Sequence, residues 1–297
     1  MKMNEIQLAT RLDQAHNLIQ EEKPLHAMQI YHRLIHMEPE FIPAYVELSS
    51  LYVELGMYVA ATTLLQGLEN RYPENTEITF LLGSFSMRSN EYDKALLYFK
   101  KLSALKSPQV HFNMGVAYFY KNNVKLAEEQ FRLTLKYDPH FPKINESLGE
   151  LLIKRRAYAE AIAYLKKGIA ADPYSAVNHH LLGVAYNHVY DWKNAYNEFV
   201  LAIEMDPNEP ANWQLCGEML IHLKRFDEAE QYVRKALELH PESVDVLVSL
   251  AELYSKRGEV AGAKKYIEQA LKIDPKNNRA LELSWKLGNA RRQQAKQ

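Results

Sequence analysis

Seven prolines set a period on this chain. Pro39, Pro73, Pro139, Pro173, Pro207, Pro241 and Pro275 are separated by 34, 66, 34, 34, 34 and 34 residues, and the gap of 66 is two periods less two residues. Asp138, Asp172, Asp206 and Asp274 stand directly before four of them. The residue before a proline is pushed out of the right-handed helical region, so each mark reads as a helix end. A fixed period of this length is the signature of stacked supersecondary units, each unable to bury its apolar face alone. Setting each proline at position 32 divides the chain into repeats 8–41, 42–75, 76–107, 108–141, 142–175, 176–209, 210–243 and 244–277.

Three columns give the frame physical content. Position 20 is Ala in all eight repeats: Ala27, Ala61, Ala95, Ala127, Ala161, Ala195, Ala229 and Ala263. Position 8 is always small (Ala15, Ser49, Gly83, Gly115, Gly149, Gly183, Gly217 and Ala251), and position 24 is always large and apolar (Tyr31, Leu65, Phe99, Phe131, Leu165, Phe199, Val233 and Ile267). Small residues facing each other let two helices approach closely, and the large residue fills the space beside the contact. Helical periodicity occurs twice per repeat. In the sixth, His179, Leu182, Gly183 and Tyr186 are spaced i, i+3, i+4, i+7, and Ala195, Phe199, Ala202 and Ile203 follow the turn at Tyr190-Asp191-Trp192. No alternating strand pattern of useful length is present. The expectation is an all-α array of helix–turn–helix repeats, one continuous domain over residues 1–297, where a length of 297 alone suggested two domains of about 150 residues.

Composition excludes several functions. The 36 basic and 37 acidic residues leave a net charge of -1, which opposes general nucleic-acid binding and electrostatic membrane attachment. The single cysteine, Cys216, allows no internal disulfide and no cysteine-based zinc site, and beside Gly217 at position 7 it reads as a packed thiol. No Walker loop, GxGxxG, HExxH or nucleophile–base set occurs, so neither catalysis nor a cofactor is expected. His32 and His36 are spaced i, i+4, and His188, Glu218 and His222 fall on equivalent faces of neighbouring repeats; neither set has a complete ligand shell, and no metal is expected. Glu5, Arg11 and Asp13 interrupt any apolar run at the N-terminus, and no stretch approaches the ~18 residues of a membrane span. The expectation is a cytoplasmic protein without membrane insertion.

The marks Leu182, Gly183, Tyr186, Ala195, Phe199, Ala202 and Pro207 resemble the tetratricopeptide repeat, and the resemblance covers residues 8–277. A pentatricopeptide array is the competing reading, opposed by the 34-residue spacing and the near-neutral charge. The resemblance implies a right-handed superhelical solenoid and a protein-binding scaffold or adaptor, its concave face lined by positions 2, 5, 6, 9, 12 and 13 of each first helix. It places a partner peptide on Phe80, Phe112, Asn113, Phe119 and Tyr120, with Lys143, Glu146 and Glu150 orienting it and His180, Asn187, His188, Glu218 and His222 beyond. The aromatic quartet is read as additional to the packing positions and therefore as an anchor; the alternative is that it pads the interior. The carboxylate clamp of chaperone-binding members is matched only at Asn113 and Lys143, so that function is not expected. Self-assembly through one chain's end in another's groove, and service as a regulatory subunit of an enzyme or assembly complex, remain open.

Two departures stand out. The third repeat is two residues short, with the loss at Ser103–Ser107, which predicts a shortened helix or tighter turn and a division of the array there, or a trimmed loop of no consequence. Residues 278–297 are expected to form a capping helix that covers the last repeat through Leu281, Trp285 and Gly288, ending in polar Arg291, Arg292, Gln293 and Gln294.

Overall fold

Helices follow one another in each half of the 34-residue frame. The computed structural model describes the backbone of residues 3–294 and the side chains of residues 3–288; the side chains of Arg291 to Gln294 lie outside the described residues. The first four repeats carry α1 (Glu5–Gln20) and α2 (Pro24–Met37), α3 (Ile42–Glu54) and α4 (Tyr58–Glu69), α5 (Thr76–Arg88) and α6 (Tyr92–Leu102), and α7 (Pro108–Tyr120) and α8 (Val124–Tyr137). The next four carry α9 (Ile144–Lys154) and α10 (Tyr158–Ala171), α11 (Ala176–His188) and α12 (Trp192–Met205), α13 (Pro210–His222) and α14 (Phe226–Leu239), and α15 (Val244–Arg257) and α16 (Val260–Ile273), before a last helix α17 (Asn278–Gln294). No strand occurs among the described residues. This is an all-α helical-repeat fold.

The three columns form the seam of each helix pair. All eight position-20 alanines are fully buried, and position 24 is exposed by no more than 3% in any repeat. The small residue at position 8 lies under the large one at position 24. A β-carbon on Gly115 would lie 2.5 Å from two ring carbons of Phe131, and one on Gly183 would lie 2.7 Å from the Phe199 ring. Only glycine admits these rings at that separation.

Position 15 ends every first helix in left-handed backbone. Glu22, Asn90, Asn122, Arg156, Tyr190 and Lys224 have φ between 58° and 63°, and Gly56 and Gly258 have 75° and 81°. The turn reverses the chain from first to second helix. For residues other than Gly, Asn or Asp this conformation costs roughly 1–2 kcal/mol. Side-chain caps then start several helices: Asn75, Asn123, Ser175, Asp191 and Ser243 each accept from the backbone amide three residues on.

The chain forms two compact units, Met1–Phe141 and Pro142–Gln297. The division falls one repeat later than the shortened join, where the sequence placed it. The join itself combines both expected adjustments. The second helix, α6, stops at Leu102 after 11 residues, a 3-10 turn covers Ser103–Leu105, and Lys106 takes φ 53° before α7 begins.

The terminal helix corrects the expected face. Ala280 and Leu287 are buried and Leu283 half-buried, whereas Leu281 and Trp285 are 45% and 69% exposed, and Gly288 is also exposed. The frame explains the result. Residue 278 would be position 1 of a ninth repeat, so Ala280 and Leu287 occupy positions 3 and 10, which in earlier repeats face the preceding helix pair. Val246 and Leu253 hold those places in the eighth repeat, at 1% and 0% exposure. Leu281 and Trp285 are positions 4 and 8, which elsewhere meet the second helix of the same repeat.

Candidate functional site

In the N-terminal unit, first helices α5 and α7 form a cleft of about 400 Å³. Phe80, Ser84 and Met87 line it from α5, and Gln109 and Asn113 from α7. These are positions 5, 9 and 12 of one repeat and 2 and 6 of the next, the places at which the resemblance puts a ligand. Ser84 Oγ turns back to donate to the Phe80 carbonyl at 2.9 Å, and Gln109 Nε2 donates to Asn113 Oδ1 at 3.1 Å. The Asn113 amide nitrogen keeps its donors for another acceptor. The cleft therefore offers an aromatic edge and a thioether on one wall and amides on the other.

The four aromatics expected as one patch fall into separate ring contacts. Phe80 is half-buried with its ring 5.8 Å from Phe99, and Phe112 is half-buried between Phe131 at 5.7 Å and Phe141 at 5.0 Å. Position 5 thus leans on the position-24 ring of its own repeat, so these two rings belong to the packing that the sequence reading counted as already complete. Phe119 meets Tyr120 edge-on at 5.8 Å, and Tyr120, 62% exposed, stacks face to face on Tyr92 at 5.3 Å. Of the quartet only Phe80 lines the cleft.

In the C-terminal unit the expected residues separate into short polar links. Lys143 is exposed and precedes α9 with φ 61°, so it is not the second residue of a helix as the frame implied. Pro142 before it delays the helix to Ile144. Desolvation raises the carboxyls of both Glu146 and Glu150; Lys143 opposes the shift at Glu146, and the Glu146 charge reinforces it at Glu150. His180 Nδ1 shares a 2.7 Å hydrogen bond with Oδ1 of buried Asn212 in the next repeat, and its ring leans on Phe199 at 5.9 Å. Asn187 is half-buried. Glu218 accepts from Ser249 Oγ at 2.7 Å and Gln214 Nε2 at 3.1 Å, and Arg279 of α17 reaches both Glu218 and Glu252 at 3.3 Å.

His188, Glu218 and His222 do not converge. His188 stacks on Tyr158 at 4.4 Å and His222 on Trp192 at 4.6 Å, each pair within 11° of parallel. These stacks, with Tyr92–Tyr120, join position 17 of one repeat to position 13 of the next. Reading the sequence by columns within a repeat missed them, because the partners lie in different columns and different repeats. His32 Nε2 pairs with Tyr52 OH at 3.0 Å. Among the described residues no three His, Cys, Asp or Glu side chains are placed to hold a metal, and no helix is long and apolar enough to cross a membrane. Cys216 is fully buried, and burial pushes its thiol far up.

Paired helices on a 34-residue period, with small, Ala and aromatic residues in the seam, define a tetratricopeptide-repeat protein. Comparison with known proteins agrees on the family and the fold. The profile described as Cilia and flagella-associated protein 70 C-terminal domain matches residues 87–296, and the chain belongs to that family. It is 26% identical over 238 residues to the BBSome complex member BBS4 of Bos taurus, covering 75% of this chain and 46% of that protein. It is 23% identical over 243 residues to the TPR repeat-containing protein YpiA of Bacillus subtilis (strain 168), covering 80% of this chain and 56% of that protein. The chain thus spans about half the length of these relatives. Among solved structures, the APC/C hetero-tetramer Cut9-Hcn1 superposes with a TM-score of 0.64 at 19% identity, over 91% of this chain and 55% of that one. Pseudomonas aeruginosa PilF gives 0.62 at 18%, over 71% and 97%. These two likenesses show the fold.

Proposed function

We propose that this chain is a non-catalytic interaction scaffold that holds a segment of a partner protein against its first-helix face, with the principal contact in the Phe80–Asn113 cleft. The observation that carries the reading is the cleft itself. Five side chains from two neighbouring repeats line about 400 Å³, enough for one large apolar side chain, and the donors left on the Asn113 amide support a bond to a peptide backbone. A tetratricopeptide-repeat protein is a protein-interaction scaffold, and its relatives include a named complex member, the bovine BBSome protein. Membership of a multiprotein assembly is the adaptor role that fits this chain. The polar links of the C-terminal unit, Glu218 and Arg279 among them, support a second stretch of contact where Glu146 and Glu150 orient a donor-rich segment.

Affinity capture of partners with Phe80→Ala and Asn113→Ala tests the reading. Both variants are expected to retain the helical spectrum and to lose capture about tenfold or more, since central anchors carry much of the binding energy. Capture at unchanged affinity by both would refute the cleft as the anchor.

A further inference from the structure

The left-handed residue at position 15 sits at the tip of the turn within each repeat. In repeats two, three, four and eight it is Gly56, Asn90, Asn122 or Gly258, residue types that visit this region readily. Repeats five, six and seven instead put Arg156, Tyr190 and Lys224 there, at φ 63°, 62° and 61°. Three long side chains are thus held on costly backbone at three consecutive tips of the C-terminal unit. Glu22 of the first repeat takes the same conformation singly; in the C-terminal unit three such residues follow one another at exposed tips, and it is this run that points to a use for the side chains. All three are exposed, Tyr190 by 76%.

The tips lie side by side. His188, at the end of α11, stacks on Tyr158 at the start of α10, and His222, at the end of α13, stacks on Trp192 at the start of α12. Tyr190 meets Trp192 edge-on at 6.3 Å, which leaves the tyrosine ring largely open. The charges on this edge divide in two. Arg155 and Arg225 are paired with Glu160 and Glu228 of the following helices at 3.1 and 2.5 Å, and Arg257 with Glu230 of the preceding helix α14 at 2.6 Å. Arg156 and Lys224, with Lys193 nearby, make no ion pair among the described residues. The edge keeps a cation, an aromatic ring and a cation for something outside the chain.

We propose that Arg156, Tyr190 and Lys224 form a docking edge for an acidic, extended peptide segment with an apolar side chain at its centre. Charge complementarity sets the partner's sign, and the repeat spacing sets its register. Neighbouring repeats pack about 8–10 Å apart, and a peptide in the polyproline II form advances about 3.1 Å per residue with about three residues per turn, so every third side chain returns to the same face. The segment therefore carries an acid, an apolar residue and an acid at every third position. A nucleic acid would suit the cations, but the His188 and His222 rings already have a face covered by their stacks, so the edge lacks a series of open platforms for bases. The edge lies outside the Phe80 cleft and stands whether or not that cleft binds.

Fluorescence anisotropy with a labelled synthetic peptide of about ten residues, Glu-Ser-Ser-Leu-Ser-Ser-Glu at its centre, tests the assignment on the full chain. Binding is expected to weaken with added salt. It should fall at least about tenfold in Arg156→Gly and in Lys224→Gly, while the midpoint of thermal unfolding stays level or rises because glycine relieves the backbone. A peptide of the same composition with its two acids adjacent should bind less tightly, and Phe80→Ala should leave binding unchanged. The proposal is overturned if the glycine variants bind as the parent does, if the respaced peptide binds equally well, if Phe80→Ala removes binding, or if an oligouridine displaces the peptide and binds more tightly.

Discussion

Replacing Gly115 with alanine tests the seam that defines every repeat. The new β-carbon would sit 2.5 Å from Cδ1 and Cε1 of Phe131 and 3.2 Å from Cγ. Ordinary contact needs about 3.4 Å or more, so the ring must retreat by about 1 Å. It has little room, because Phe131 is 1% exposed and Phe112, of the same helix α7 as Gly115, also packs on it at 5.7 Å. Overpacking of this kind costs about 1–3 kcal/mol, and the gain in helix propensity from Gly to Ala returns about 1 kcal/mol. The net expectation is a loss of up to about 2 kcal/mol. The second arm replaces Phe131 with isoleucine, which reproduces in the fourth repeat the Ala251–Ile267 pair of the eighth, where both side chains are buried. With the ring gone, Gly115→Ala should stabilise instead of destabilise. Urea unfolding followed by circular dichroism gives the global effect, and hydrogen exchange of the α7 and α8 amides gives the local one, which matters because repeat arrays need not unfold in one step. A coupling energy of at least about 1 kcal/mol is expected between the two sites. Additivity within about 0.5 kcal/mol would refute the claim that positions 8 and 24 form one contact.

Glu22→Gly, at the tip of the first repeat with φ 58°, should raise stability by up to about 1 kcal/mol, read as a higher thermal midpoint; an unchanged or lower midpoint would count against strain at position 15. Glu230 is desolvated, yet bonds from Tyr254, Arg234 and Arg257 outweigh this and hold its carboxyl at about 2. Because that value lies below the ordinary carboxylate range, its stabilising contribution is complete above about pH 4.5 and is lost as pH falls towards 2. Hydrogen exchange of α14 and α15 should accelerate over that window in the parent and be less pH-dependent in Glu230→Gln. Cys216 should resist an aromatic disulfide reagent in the folded chain and react on denaturation, since burial suppresses its thiolate; rapid reaction under native conditions would contradict the packed seam.

What could be read from the sequence was what repeats within one column. Ala at position 20 and the paired columns at 8 and 24 fixed the helix pairs and their seam, because burial there admits few residue types. The left-handed tips were less visible. Gly56, Asn90, Asn122 and Gly258 signal them, but Glu22, Arg156, Tyr190 and Lys224 carry no local signature, and packing of the two helices imposes the conformation on them. The stacks between positions 17 and 13 depend on contacts across repeats, which no single column reports. The same limit produced the error at α17. Trp285 and Leu281 are apolar, but the frame assigns the buried face to positions 3 and 10, and those columns are chemically mixed: Asn178 and Asn212 fill position 3 in two repeats while remaining buried. Phe80 and Asn113, expected on the first-helix face by position, line the cleft between α5 and α7. The packing of Phe112 on Phe131 and Phe141 was not legible, because it joins parts of the chain that only folding brings together.

Site-specific photocrosslinking tests the central claim most directly. A benzophenone side chain placed at Ser84, inside the cleft, should capture a partner polypeptide, while the same group at Leu97, 65% exposed on second helix α6, should not. Capture from Leu97 and none from Ser84 would contradict the account, placing the partner on the second-helix face.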